Sequence, residues 1–79
     1  MNAVAVNPKQ VEAVPARTVQ VNAVSWRTMD DAFARRLQIL VNGTIPIVVQ
    51  GDDYDALGQW TDETIKGLVL ARLQLVEAV

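Results

Sequence analysis

The chain of 79 residues contains no cysteine, so its fold must be held together by apolar packing. Disulfides and thiolate zinc sites, which stabilise many domains of this size, both need that residue. A domain this small also buries a smaller share of its surface than a large one. Yet 51% of the residues are apolar. We therefore expect a single small domain with surplus apolar side chains on its surface, where such patches mark interaction sites.

The missing residue types also limit the chemistry of the chain. Histidine is absent as well, so the Ser–His and Cys–His nucleophile pairs cannot be assembled. Ser25 is the sole serine and has no visible base, and Lys66 follows Asp62 at the spacing of a surface ion pair on a helix. We predict a protein that is not an enzyme, with no catalytic residue, no cofactor and no metal.

Charge and hydropathy limit the kinds of partner that we expect the chain to bind. The net charge is −2 and no basic run occurs, so we expect no nucleic-acid partner. No apolar stretch approaches the roughly 20 residues that span a membrane. The first residues lack the basic and apolar regions of a signal peptide. We expect a cytoplasmic or virion-associated protein whose partners are itself or other protein subunits, with no membrane.

The first 16 residues differ from the rest of the chain. They are rich in valine and alanine, and Pro8 and Pro15 interrupt them. Proline removes a backbone donor and disfavours helix in the residue before it. The pattern predicts an extended N-terminal arm over 1–16, attached to a single compact domain over 17–79. Such an arm is ordered only where a surface receives it.

Residues 17–26 alternate polar and apolar side chains, which predicts a half-buried strand with Val19, Val21 and Ala23 on its inner face. The segment that follows, 28–50, admits two interpretations. In the first, a helix runs from a cap at Thr28 to a stop at Gly43. In the second, Asn42-Gly43 forms a type I′ hairpin turn between two strands.

We favour the hairpin, because a helix at this point would leave only two strands, and an isolated two-stranded sheet is marginal. The strands are then 33–41 and 44–50, with Phe33 facing the core and Met29–Asp31 in a preceding loop. Arg35 is the exception to the alternation of the first strand. Pro46 cannot donate a hydrogen bond, so the second strand is predicted to lie at a sheet edge.

The C-terminal third predicts helix. A short helical turn is indicated over 51–61, and a longer helix over 62–78 begins at a cap on Thr61. Its apolar stripe is wide, which indicates burial against both the sheet and a neighbouring chain. The stripe consists of Ile65, Leu68, Val69, Leu73 and Val76, broadened by Leu70, Ala71 and Leu75.

These elements predict an α+β fold. A three-stranded antiparallel β-meander (17–26, 33–41, 44–50) packs against the C-terminal α-helix, with the extended arm of residues 1–16 preceding it. The alternative order is β-α-β-α.

Two groups of residues are candidates for an interaction site. Five of the nine acids fall within 52–63, and no Lys or Arg interrupts them. Helix capping and a solvated surface explain such a cluster, and so does contact with a basic partner. Trp is also favoured at the centres of protein interfaces. The interaction hypothesis therefore rests on Trp26, Tyr54, Trp60, Asp52, Asp53 and Asp55.

Three functions fit these observations. The first is a structural or assembly subunit of a homo-oligomer or larger complex, and the short acidic chain with an arm resembles, in general profile, small accessory proteins of tailed-phage virions. The second is an adaptor or inhibitor that binds one partner through 52–63. The third is a regulator or antitoxin, since Arg17–Asn22 resembles the reading strand of ribbon–helix–helix proteins. The acidic charge and the strand-like residues 44–49 depart from that family.

Overall fold

A computed structural model describes residues 3–13 and 17–78, which form two antiparallel sheets and two helices. The strands are β1 (Val4–Ala13), β2 (Arg17–Val24), β3 (Trp26–Asp31), β4 (Arg36–Val41) and β5 (Ile45–Gln50). The helices are α1 (Asp52–Leu57) and α2 (Asp62–Leu73). One sheet pairs β1 with β2, and the other has the order β3-β4-β5. The predicted combination of a small antiparallel meander and a C-terminal helix is confirmed at this level.

The hairpin at Asn42-Gly43 is confirmed, and the alternative β-α-β-α order is wrong. Both turn residues have positive φ, 54° and 73°, as a type I′ turn requires. The amide of Thr44 donates to the carbonyl of Val41 at 3.1 Å. Burial alternates strictly along β4 and β5, which is the period of a strand with one face on the core.

The membership of the three-stranded sheet differs from the prediction. Residues 17–24 were predicted as the first strand of the meander, but they pair with β1. Their predicted place beside β4 is taken by β3. A single residue, Ser25, separates β2 from β3. The side chain of Asn42 fixes this corner, because it accepts from the amide of Ser25 at 2.9 Å and donates to the carbonyl of Ala23 at 3.0 Å. The chain can therefore change sheets without unsatisfied backbone groups.

The predictions for Phe33 and for Met29–Asp31 were wrong. Met29–Asp31 belong to β3, and Phe33 lies fully exposed in the loop between β3 and β4. The loop is closed by Asp31, whose carboxylate accepts from the amide of Ala34 at 3.0 Å. Arg35 ends the loop with φ at 52°, so the alternation begins only at Arg36. A left-handed residue cannot continue the strand.

The arm predicted over 1–16 is also revised. Residues 4–13 are extended, as expected, but they form β1 on the body of the same chain. Val6 and Ala13 are buried in the common core. The surface that receives this segment is thus β2, and backbone pairing replaces the large side chains that the segment lacks. Residues 1, 2 and 14–16 of the predicted arm lie outside the described residues.

The C-terminal helix ends five residues earlier than the predicted boundary at 78. Gln74 adopts the left-handed conformation that stops α2, and its amide donates to the carbonyls of Ala71 and Leu70. Lys9 on β1 caps the same end, because its Nζ donates to the carbonyl oxygens of Leu73 and Gln74 at 3.3 and 2.9 Å. A cation at a helix C-terminus also complements the helix dipole.

The residues after α2 pair with β1. The register of β1 against β2 shifts between Ala5 and Lys9, a stretch that includes Pro8. There the amide of Asn7 donates to the carbonyl of Val76 at 2.8 Å, and the amide of Ala78 donates to the carbonyl of Ala5 at 2.9 Å. The residues after Gln74 therefore pair with β1 and do not continue the helix, because the pairing satisfies backbone groups on both segments.

The start of α2 matches the prediction. Thr61 is the N-cap and forms a capping box with Thr64. Ile65 and Val69 are buried under the helix, and Leu68, Leu70 and Leu73 are half-buried against the core. The buried core consists of Val6, Ala13, Val21, Val24, Trp26, Leu37, Ile39, Val41, Ile45, Ile47, Val49, Ile65, Val69 and Leu75.

Candidate interaction surface

The acidic residues of α1 meet a basic side chain from the loop between β3 and β4. Arg35 donates two hydrogen bonds to the carboxylate of Asp55 and lies 3.6 Å from that of Asp52. The bond from the guanidinium lowers the pKa of the Asp55 carboxyl below its ordinary value. Two of the three predicted acidic contact residues are therefore engaged within the chain, and Asp53 remains exposed without an ion pair among the described residues.

Arg35 was not among the predicted site residues. The sequence did contain one sign of Arg35: it breaks the alternation of polar and apolar residues along the predicted strand 33–41. The misfit has a physical cause, since Arg35 sits at a left-handed loop position with its side chain across α1. Exposed ion pairs of this kind contribute little to stability, so the pair positions α1 more than it holds the fold.

Tyr54 and Asp30 form the second contact between α1 and the sheet. The Tyr54 hydroxyl donates to a carboxylate oxygen of Asp30 at 2.7 Å. Asp30 projects from the core-facing side of β3 at the rim of the sheet, where Tyr54 is half-buried. This bond raises the pKa of the Tyr54 phenol, with burial as the next cause.

The ionisation of Tyr54 tests this contact directly, because it is the only tyrosine. We expect an absorbance titration to give a midpoint above the ordinary value of about 10. The bond requires a protonated phenol, so its contribution to stability is complete below about pH 10 and is lost as the pH rises through the raised pKa. Asp30→Asn should lower the midpoint and Asp53→Asn should leave it in place. Equal midpoints in the wild type and Asp30→Asn would contradict the assignment.

Neither tryptophan is exposed, whereas an interaction residue must be accessible to its partner. Trp26 begins β3 and is 9% exposed, within the buried core. Trp60 is half-buried and packs against that core from the segment before α2. The structure does not bring Trp26 and Asp53 into one patch, since Trp26 starts β3 and the acidic helix α1 contacts the other end of that strand through Asp30.

Val76 is exposed after α2, and two of the other exposed large apolar side chains, Met29 and Val48, lie on the side of the three-stranded sheet that faces away from the core. We call this side the outer sheet face; it carries Arg27, Met29, Asp31, Arg36, Gln38, Leu40, Pro46, Val48 and Gln50. Met29 is 63% exposed and lies in one cross-strand row with Gln38 and Val48. Phe33 projects from the loop at the end of the same sheet. Sequence reasoning missed this face because it placed Met29 in a loop and Phe33 in the core.

The edge of β3 borders this face and is open to solvent. The backbone amide of Asn42 donates to the carbonyl of Ser25, so these two residues form a hydrogen-bonded pair. From this pair onward, every second residue of β3 turns its backbone groups toward β4. By that alternation Arg27, Met29 and Asp31 bond to β4. The backbone groups of Trp26 and Thr28 therefore point away from the sheet, as do those of Asp30. No backbone bond from these three to another element occurs among the described residues.

An open groove of about 850 Å³ runs beside this edge. Its walls come from β1, β3 and the first turns of α2: Val4, Trp26, Arg27, Thr28, Asp62, Glu63 and Lys66. Lys66 is held there by Glu63 at 3.3 Å and by Glu77 at 3.4 Å. The predicted pairing of Lys66 with Asp62 is replaced by these two contacts.

The opposite edge of the same sheet is protected. The backbone amide of Gly51 donates to the carbonyl of Arg35, so every second residue before Gly51 on β5 bonds to β4. The residues between them, Pro46, Val48 and Gln50, turn their backbone groups outward. Pro46 has no donor, and Arg72 of α2 donates to the carbonyl of Val48 at 3.5 Å. Proline and a covering side chain are common protections of sheet edges; β3 has neither, and its edge carries the charges of Arg27, Asp30 and Asp31 instead.

Within residues 3–13 and 17–78, no group of three or more carboxylates lies close enough to hold a metal ion. In the same residues no helix is long and apolar enough to cross a membrane. Comparisons with protein-family models, curated proteins and solved structures gave no match to this chain. We therefore infer the function from the geometry of the surfaces described above.

Proposed function

We propose that this protein is a non-enzymatic structural or assembly protein that acts as a subunit of a homo-oligomer or a larger complex. The observation that carries the proposal is the outer sheet face, where Met29 is exposed on the open edge strand β3 and Val48 is exposed in the same cross-strand row on β5. Small soluble domains rarely leave large apolar side chains and an open strand edge together on one sheet. A contact there would bury both.

A virion is the setting that we favour for such a subunit. The short acidic chain and its apolar surplus match the profile of small accessory proteins of tailed phages. The position of β1 changes one part of that profile, because residues 4–13 lie on the chain's own β2. Assembly through a sheet edge takes the place of assembly through an arm.

The two alternative functions have less support. An adaptor or inhibitor that binds through 52–63 would have to compete with Arg35 for Asp52 and Asp55. A ribbon–helix–helix regulator needs helices after its reading strand, and residues 26–31 and 36–41 are strands.

Sedimentation velocity over a range of protein concentrations tests the proposal. We expect a species larger than the monomer that dissociates on dilution. Met29→Lys should weaken it, whereas Val76→Lys should not, and these two residues are matched because both are 63% exposed. A monomer up to high micromolar concentration, and no partner subunit recovered from the native source, would overturn the proposal.

A further inference from the structure

We infer that the open edge of β3 pairs with the same edge of a second copy of this chain, in antiparallel orientation about a two-fold axis at Met29. The two three-stranded sheets would then join into one continuous sheet. The inference rests on the proposed function and specifies the surface and the register through which self-assembly takes place.

The hydrogen-bonding pattern leaves two registers of equal length. Strands bond edge to edge only if the outward groups of one oppose the outward groups of the other, and on β3 these belong to Trp26, Thr28 and Asp30. In antiparallel self-pairing, the longest registers that meet this condition place either Thr28 opposite itself or Met29 opposite itself. Each aligns five residues of the six-residue strand, with three hydrogen-bonded residue pairs in the Thr28 register and two in the Met29 register.

Charge complementarity selects the register centred on Met29. In that register Arg27 lies opposite the partner's Asp31, and the two-fold axis repeats this pair on the other side. The register centred on Thr28 would set Arg27 opposite the partner's Met29, with no cross-strand carboxylate. Opposite charges that face each other across a strand pair are favourable, and two such pairs flank the centre of the selected register.

The selected register also places the exposed apolar side chains well. Arg27, Met29 and Asp31 bond to β4, so across the new contact they occupy non-hydrogen-bonded positions, where opposing side chains approach most closely. Met29 would meet the partner's Met29 at the axis, and each side chain would cover one flank of the other. The row of Met29, Gln38 and Val48 would continue into the same row of the partner.

The first half of the edge borders open space. The groove beside β3 follows Trp26, Arg27 and Thr28, and its far wall is the first turns of α2. On the core-facing side the register sets Thr28 opposite the partner's Asp30. The hydroxyl of threonine can donate to a carboxylate, so this pair is also compatible.

Single-cysteine variants test the register, since the chain has no cysteine of its own. Non-hydrogen-bonded pairs bring opposing Cα atoms to about 4.5 Å, within the range that a disulfide spans. Under mild oxidation we expect Met29→Cys to give a covalent dimer on a non-reducing gel, and Thr28→Cys to give much less. Val76→Cys, equally exposed, measures random collision. Efficient cross-linking of Thr28→Cys with none at Met29→Cys would overturn the register.

Charge reversal tests the surface independently. We expect Arg27→Glu and Asp31→Arg each to raise the dissociation constant about tenfold or more, and the double variant to restore most of the affinity. Arg17→Glu on β2 is the matched control, and thermal melts show that each variant folds. Thr28→Pro removes an outward donor that β4 does not use, and it should also weaken the dimer.

The two proposals fail in different ways. A wild-type chain that stays monomeric overturns the pairing of β3 with itself, and it overturns the proposed function as well when no partner subunit is recovered from the native source. A wild-type oligomer whose size and affinity are unchanged by Arg27→Glu, Asp31→Arg and Thr28→Pro overturns the pairing alone. Loss of affinity in the single reversals without recovery in the double variant would assign β3 to the contact but reject the Arg27–Asp31 register.

Discussion

Replacement of Leu37 by alanine is expected to lower the free energy of unfolding by roughly 3–5 kcal/mol. Leu37 is fully buried on β4, the central strand of its sheet, so truncation leaves a cavity that the neighbours cannot close from one side. A domain of this size has only about 4–12 kcal/mol of stability. The melting temperature should fall by roughly 12–40 °C.

Leu40→Ala is the matched control for Leu37→Ala, since it makes the same change three residues later on the same strand. Leu40 is half-buried on the outer sheet face and lies outside the core cluster. We expect a loss of about 1 kcal/mol or less. Calorimetry or chemical denaturation measures both variants. Equal losses would show that the two faces of β4 are assigned wrongly.

Leu75→Ala is expected to cost roughly 2–4 kcal/mol, and Val76→Ala less than about 1 kcal/mol. Leu75 is 7% exposed, whereas Val76 is 63% exposed. The contrast depends on α2 ending at Leu73, because the chain then turns to pair with β1 and directs Leu75 into the core.

A helix that continued to residue 78 would reverse the order of the two variants. In that arrangement Val76 belongs to the stripe that faces the sheet, and Leu75 only broadens it. Thermal melts therefore discriminate between the helix predicted from periodicity and the turn at Gln74. A larger loss for Val76→Ala than for Leu75→Ala would contradict the pairing of the C-terminal segment with β1.

Local sequence signals were reliable where one short segment determines the structure. Asn42-Gly43 gave the hairpin, because two residues with positive φ suit few other structures. Thr61 gave the start of α2, because a side chain cap acts within one turn. The alternation of Leu37, Ile39 and Val41 gave the core face of β4.

Signals failed where a distant segment decides. The end of α2 depends on Lys9 and on the pairing of β1 with residues 76–78, and neither is visible in the periodicity of the helix. Likewise, the sequence predicted that residues 4–13 are extended, but it did not predict that they pair with β2. Of the candidate site, it supplied the acids of α1, whereas the approach of Arg35 to Asp52 and Asp55 comes from two elements meeting.

By itself, then, the sequence determined an α+β chain without disulfides, with more apolar side chains than its own core needs, because composition and turn chemistry are local properties. The tertiary structure decided where the surplus lies. Pairing of β3 with β4 turns Met29 outward and leaves one strand edge open, while Pro46 and Arg72 protect the other. The order β3-β4-β5 comes from consecutive hairpins, whereas Arg72 reaches the edge of β5 from a helix further along the chain. A contact between such separate segments is not visible in the local pattern of the sequence.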